Sequence, residues 1–120
     1  MGRTGPTNIH LRKLISKLEK MSKERNQGFY SYIAKLLNKP TRRRVEVNLS
    51  KIDRLSADSD IIVVPGKVLG GGRLKKRLTI VAWKFSESAK KKILDSGSNY
   101  EYLEKFVENP EAHKNVKIII

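Results

Sequence analysis

Two clusters in this 120-residue chain have the residue types and spacing to do chemistry: Arg42-Arg43-Arg44, just after Pro40-Thr41, and Arg73-Leu74-Lys75-Lys76-Arg77, just after Gly70-Gly71-Gly72. Arginine presents a planar fork of donors that matches phosphate oxygens two at a time. A run of three, bounded by a proline and by a strand, is partly preorganised. Glycine exposes backbone N–H groups and lets a phosphate ribbon approach, and the cations around the glycines, Lys67 included, would hold it. The plain alternatives are a solvated charge run for the first cluster and a flexible turn between strands for the second.

Enzyme chemistry finds less support. Counted from Gly66, a Walker loop needs Gly71 followed by lysine, but Gly72 follows. Counted from Gly70, a dinucleotide fingerprint needs glycine where Lys75 stands. His10 and His113 are single, with no companion at a metal-ligand spacing. Asp58, Asp60, Glu101, Glu104 and Glu108 read as turn and helix-face residues, and nothing pairs them for acid/base work. There is no cysteine to act as nucleophile or thiolate ligand. No cofactor, metal or small-molecule substrate is expected. An RNA-modifying enzyme is the weakest of the readings.

The charge balance names the partner class. Lys and Arg number 26 against 12 Asp and Glu, a net +14. Such a surface repels itself unless a polyanion is near, and nucleic acid is the commonest one. Residues 1–54 carry +10 of that charge and residues 55–120 carry +4. Arg3 and Thr4, in a basic tail spanning residues 1–7, would order only on RNA. Arg12, Lys13 and Lys17 add cations on the first helix. Lys90-Lys91-Lys92 reads as a solvated helix face. No apolar run reaches the roughly 20 residues of a membrane helix, and no signal peptide is apparent. A cytoplasmic protein of one domain, 1–120, is expected.

The elements that must position these residues alternate between helix and strand, an α/β pattern. Leu11, Leu14, Ile15, Leu18 and Met21 form one helical stripe, with Thr7 or Asn8 as cap. A second helix runs from about Gln27 to Asn38, with Phe29, Ile33, Leu36 and Leu37 inward, and Pro40 stops it. Val45, Val47 and Leu49 alternate with polar residues, as in a half-buried strand. Ser50 to Leu55 makes a helical turn with Ile52 and Leu55 inward. Ile61 to Val64 is a buried strand ended by Pro65-Gly66, and Leu78 to Phe85 is another. Trp83, Phe85 and the four tyrosines read as core or packing residues rather than a base-stacking platform. Ser86 caps a helix bearing Ala89, Ile93 and Leu94, closed by Gly97. Ser98 and Glu101 have the spacing of a capping box for a last helix, and Val116 to Ile120 is a terminal strand.

Four segments in order then resemble one family: Arg3 to Asn8 (RTGPTN), Arg42 to Arg54 (RRRVEVNLSKIDR), Val63 to Gly72 (VVPGKVLGGG) and Lys84 to Ile93 (KFSESAKKKI). The chain resembles the archaeal and eukaryotic large-subunit ribosomal protein family eighteen-e, a relative of bacterial large-subunit protein fifteen. The resemblance spans essentially the whole chain. It implies an irregular superhelix of β-β-α units with an N-terminal helical segment. It also implies a structural role without catalysis, bound to large-subunit ribosomal RNA and to neighbouring large-subunit ribosomal proteins. Neither a long glycine- and arginine-rich arm nor the eukaryotic extensions are present, so an archaeal type is expected. A free-standing RNA- or DNA-binding module, such as an RNA chaperone, is the rival reading.

Overall fold

Leu11, Leu14, Ile15, Leu18 and Met21 are all buried along one side of helix α1 (Ile9–Arg25). The computed structural model describes residues 9–25, 28–39, 44–108 and 116–120. The expected caps Thr7 and Asn8, and the expected tail, lie outside these residues. α1 packs on α2 (Gly28–Leu37), whose Tyr30, Ile33, Ala34, Leu36 and Leu37 are buried. Phe29 is only half-buried; its neighbour Tyr30 takes the inward place, and the two rings meet edge-on at 5.2 Å. The chain divides into two compact units, one ending at Val45 and one running from Glu46 to Ile120.

The second unit is built on a mostly parallel sheet. Its strands are β1 (Val45–Asn48, which begins at the last residue of the first unit), β2 (Ile61–Leu69), β3 (Thr79–Phe85), β4 (Asn99–Tyr102) and β5 (Val116–Ile118). The order is β1-β2-β3-β4, and β5 also pairs with β2. Pairing is parallel for β2 with β3 (Ile61 opposite Thr79), for β3 with β4 (Thr79 opposite Asn99) and for β2 with β5 (Ile61 opposite Val116). Val63, Val64, Ile80, Val81 and Ala82 are fully buried. Strands covered on both faces read as continuous apolar runs, which is how these two read. Each such branched side chain taken from water contributes about 1.5–3 kcal/mol.

Several expectations are corrected. Pro65-Gly66 does not end β2, which continues to Leu69. The register with β3 slips between Val64 and Lys67, and a proline without an N–H is accommodated at such a bulge. Leu49 opens helix α3 (Leu49–Leu55) instead of closing β1. Leu55 is 50% exposed and Leu94 is 55% exposed. At about 100° per residue, Leu55 lies some 60° beyond Ile52 and 120° from Leu49, and Leu94 some 100° beyond Ile93 and 140° from Ala89, so Leu55 sits at the margin of its buried stripe and Leu94 outside its own. The capping box at Ser98 does not form. Residues 99–102 pair with β3 instead, and the next helix, α5, is the short Leu103–Phe106. α4 (Glu87–Asp95) is capped as expected: the Ala89 amide donates to Ser86 Oγ at 3.1 Å, and Gly97 beyond it has φ +82°. Phe85 packs against Tyr100 and Tyr102 at 5.1 and 5.5 Å, tying β3 to β4.

Candidate nucleic-acid interface

Parallel pairing of Ile61 with Thr79 makes a demand on the segment between β2 and β3. The chain leaves β2 at Leu69 and must return to the level of Ile61 before β3 begins. Eight strand steps cover about 26 Å. Residues 70–78 must span this distance, and as a helix they would reach only about 14 Å. They therefore run extended, as a strap.

The strap is fastened at intervals along α3. The Gly71 amide donates to Asn48 Oδ1 (3.0 Å), and the Ser50 amide donates to the Gly71 carbonyl (3.0 Å). The amides of Lys75 and Lys76 both donate to Asp53 Oδ1, at 2.9 and 3.2 Å. The Arg77 amide donates to Asp58 Oδ1 (3.0 Å), and its carbonyl accepts from the Ser59 amide (2.8 Å). At the far end the buried Ser98 hydroxyl accepts from the Leu78 amide and donates to the Lys76 carbonyl, both at 2.9 Å. On the other side, the Lys92 ammonium from α4 donates to the carbonyls of Gly70 (2.6 Å) and Gly72 (3.0 Å).

The glycines serve close packing here. A Cβ on Gly71 would stand 2.4 Å from Asn48 Oδ1, and one on Gly70 2.2 Å from Ser88 Oγ. Gly72 has φ +83°, and a Cβ there would meet Ser50 Cβ at 2.3 Å. The flexible-turn alternative thus gives way to a pinned segment. So does the open phosphate cradle at Gly71, whose amide is already engaged.

An extended chain alternates its side chains. Leu74 and Leu78 are buried, Lys76 is half-buried, and Arg73, Lys75 and Arg77 are exposed. The three exposed cations recur every second residue, about 6.6 Å apart along the strap. Asp53 and Asp58 are turned to backbone amides. Among the described residues, no ion pair neutralises the three cations.

A family model that describes the ribosomal proteins 50S-L15, 50S-L18e and 60S-L27a matches residues 10–101. The chain belongs to this family. It is 47% identical to the large ribosomal subunit protein eL18 of Nanoarchaeum equitans, over 98% of this chain and 97% of that one. The eL18 of Methanothermobacter thermautotrophicus is 44% identical over 94% and 93% of the two chains. That of Sulfurisphaera tokodaii is 43% identical over 99% and 98%. The resemblance seen in the sequence and the archaeal character of its relatives are borne out. As a member of a ribosomal protein family the chain is no enzyme, and its place is with the ribosome in the cytoplasm. No helix among the described residues is long and apolar enough to cross a membrane.

Within this family member the expected site residues fall into distinct groups. Arg73, Lys75 and Arg77 are brought together on the strap, and Lys67 is half-buried on β2. Lys76 is spent internally: its ammonium binds the carbonyls of Asp53 and Ser56 at the end of α3. Arg44 is half-buried, and its Nη2 donates to the Lys39 carbonyl at 3.1 Å. Arg44 Nε is buried without a hydrogen-bond partner among the described residues, and loss of water pushes this guanidinium below its ordinary pKa. Arg12, Lys13 and Lys17 are exposed on α1. Arg3, Thr4, Arg42 and Arg43 lie outside the described residues. Lys92 and Asp53 were missed by sequence reasoning. Lys92 sits in an ordinary-looking basic triplet, and Asp53 is a lone acid among cations, so neither carries a local signal. Of that triplet, Lys91 is exposed as expected, whereas Lys90 pairs with Glu87 at 3.2 Å.

Proposed function

We propose that this chain is a structural constituent of the large ribosomal subunit that binds and clamps large-subunit ribosomal RNA through phosphate contacts, next to neighbouring large-subunit ribosomal proteins. The observation that carries the reading is the strap, whose exposed Arg73, Lys75 and Arg77 have no ion pair among the described residues and stand over a backbone held by Asp53 and Asp58. With the backbone beneath them pinned, these cations bind phosphate at the cost of side-chain ordering alone, not of backbone ordering. Helical RNA hides its base edges in a deep groove, so shape and phosphate contacts dominate its recognition. Lys67 on β2 belongs to the same proposal, and Arg12, Lys13 and Lys17 form a second contact on α1. Arg3, Thr4, Arg42 and Arg43 belong to the same proposal. Lys76 and Arg44 act in it through the positions they hold.

The test is binding of large-subunit ribosomal RNA over a range of salt concentrations. Log affinity falls linearly with log salt by about 0.7–0.9 per neutralised phosphate. Replacing Arg73, Lys75 and Arg77 together by alanine should lower that slope by about 2–3, with circular dichroism unchanged. A flat salt response in the native protein would sink the reading. Co-migration with the large subunit through a moderate salt wash separates it from a free-standing RNA chaperone.

A further inference from the structure

Between the strap and α4 lies a pocket of about 390 Å3, walled by residues 72–75 on one side and by Lys92, Asp95 and Ser96 on the other. It is an open depression on the surface rather than an enclosed cavity. Leu74 is buried in one wall, and the Lys92 stem crosses the other with its ammonium committed to the Gly70 and Gly72 carbonyls. The Ser96 hydroxyl is also committed, donating to the Ile93 carbonyl at 2.7 Å. The polar side chains left over are Arg73, Lys75 and Asp95, all exposed; the Asp95 carboxylate is the one acceptor among them and has no hydrogen bond or ion pair among the described residues.

An unpaired carboxylate on a phosphate-binding face repels the backbone it sits beside. Beside Arg73 and Lys75 it is tolerated as it stands, and a pair of N–H donors on a base would give it a partner that a phosphate cannot. Among RNA bases the Watson–Crick edge of guanine offers two donors side by side, N1–H and N2–H, which match two carboxylate oxygens. Adenine and cytosine offer one amino group on that edge, and uracil offers one imide N–H. Unstacked bases read on this edge are the usual targets of sequence-specific RNA recognition.

We propose that this pocket receives a single unstacked guanine nucleotide of RNA. Asp95 reads the Watson–Crick edge, the carbon walls take the base face, and Arg73 and Lys75 hold the flanking phosphates. The proposal rests on the RNA-binding reading above and adds base selectivity at one position of that site.

The test uses the full chain and four single-stranded heptamers, UUUGUUU, UUUAUUU, UUUCUUU and UUUUUUU, at one fixed salt concentration. Affinities are measured by fluorescence anisotropy, and the contact is located by amide chemical-shift changes. The G-containing heptamer should bind about tenfold tighter than the other three, the low end for a two-hydrogen-bond base contact. Its shift changes should fall on residues 72–75, 95 and 96. In Asp95→Asn and Asp95→Ala the ratio of G to U affinity should fall to near one. Equal affinities for the four heptamers in the native protein would overturn the proposal. So would no binding of any of them, or a G preference that survives in both variants. Large-subunit RNA binding measured in parallel tells a failed pocket from a failed clamp: intact RNA affinity without G preference removes only the pocket.

Discussion

At Lys92 one ammonium joins α4 to two carbonyls of the strap. Charged hydrogen bonds contribute about 1.5–3 kcal/mol when sheltered, and exposure reduces this toward about 1 kcal/mol. Lys92→Met keeps the stem and removes the charge, so it should destabilise by about 1 kcal/mol in urea unfolding. An unchanged midpoint would return Lys92 to the solvated face. Asp60 makes a second single-residue link, since it meets Lys117 of β5 at 2.8 Å and accepts from the Ala57 amide at 2.8 Å. The Lys117 hydrogen bond first, then that of Ala57, holds its carboxyl below the ordinary 3.8. A depressed pKa in the folded state contributes stability that is present above 3.8 and is lost as pH falls through the folded value. The native protein should therefore lose more stability than Asp60→Asn on acidification from pH 5 to pH 2. Equal losses on acid titration would take this pair out of the account.

The elements depend most on the glycines of the strap. Gly71→Ala places a Cβ 2.4 Å from Asn48 Oδ1, and Gly72→Ala adds a positive φ of +83° to a clash with Ser50. Each should destabilise by about 2 kcal/mol or more. Gly28→Ala at the start of α2 is the control, because its added Cβ meets nothing within 4 Å. It should be neutral or stabilising by up to about 1 kcal/mol. Thermal melts of the three variants check this; equal behaviour would mean that the strap does not need its glycines. The α1 stripe, the apolar runs of β2 and β3 and the Ser86 cap were readable because each depends on neighbours within a turn or a strand. The bulge at Pro65-Gly66 and the pairing of residues 99–102 were not, because both depend on β3, a partner distant in sequence.

On the scale of the whole molecule, +14 on 120 residues is a standing repulsion in the absence of a polyanion. Salt screens such repulsion, with a Debye length of about 10 Å at 0.1 M. The melting temperature of the free protein should therefore rise between about 20 and 300 mM sodium chloride. A melting temperature that falls over that range would show that attractive surface pairs outweigh the repulsion. Charge, the absence of cysteine, the alternation of helix and strand, and the four family-like segments were properties of the sequence by itself. Together they were enough to place the chain among ribosomal proteins. Which cations are left for a partner was decided only by tertiary structure. Arg73, Lys75, Lys76 and Arg77 look alike in sequence, yet the extended return from β2 to β3 turns alternate residues inward. Lys76 thereby meets the carbonyls of α3, while its neighbours stay exposed. The same return brings Lys92 and Asp95 of α4 beside the strap, some twenty residues on. A side chain's partner is set by where the backbone passes, and no local pattern of charges encodes that path.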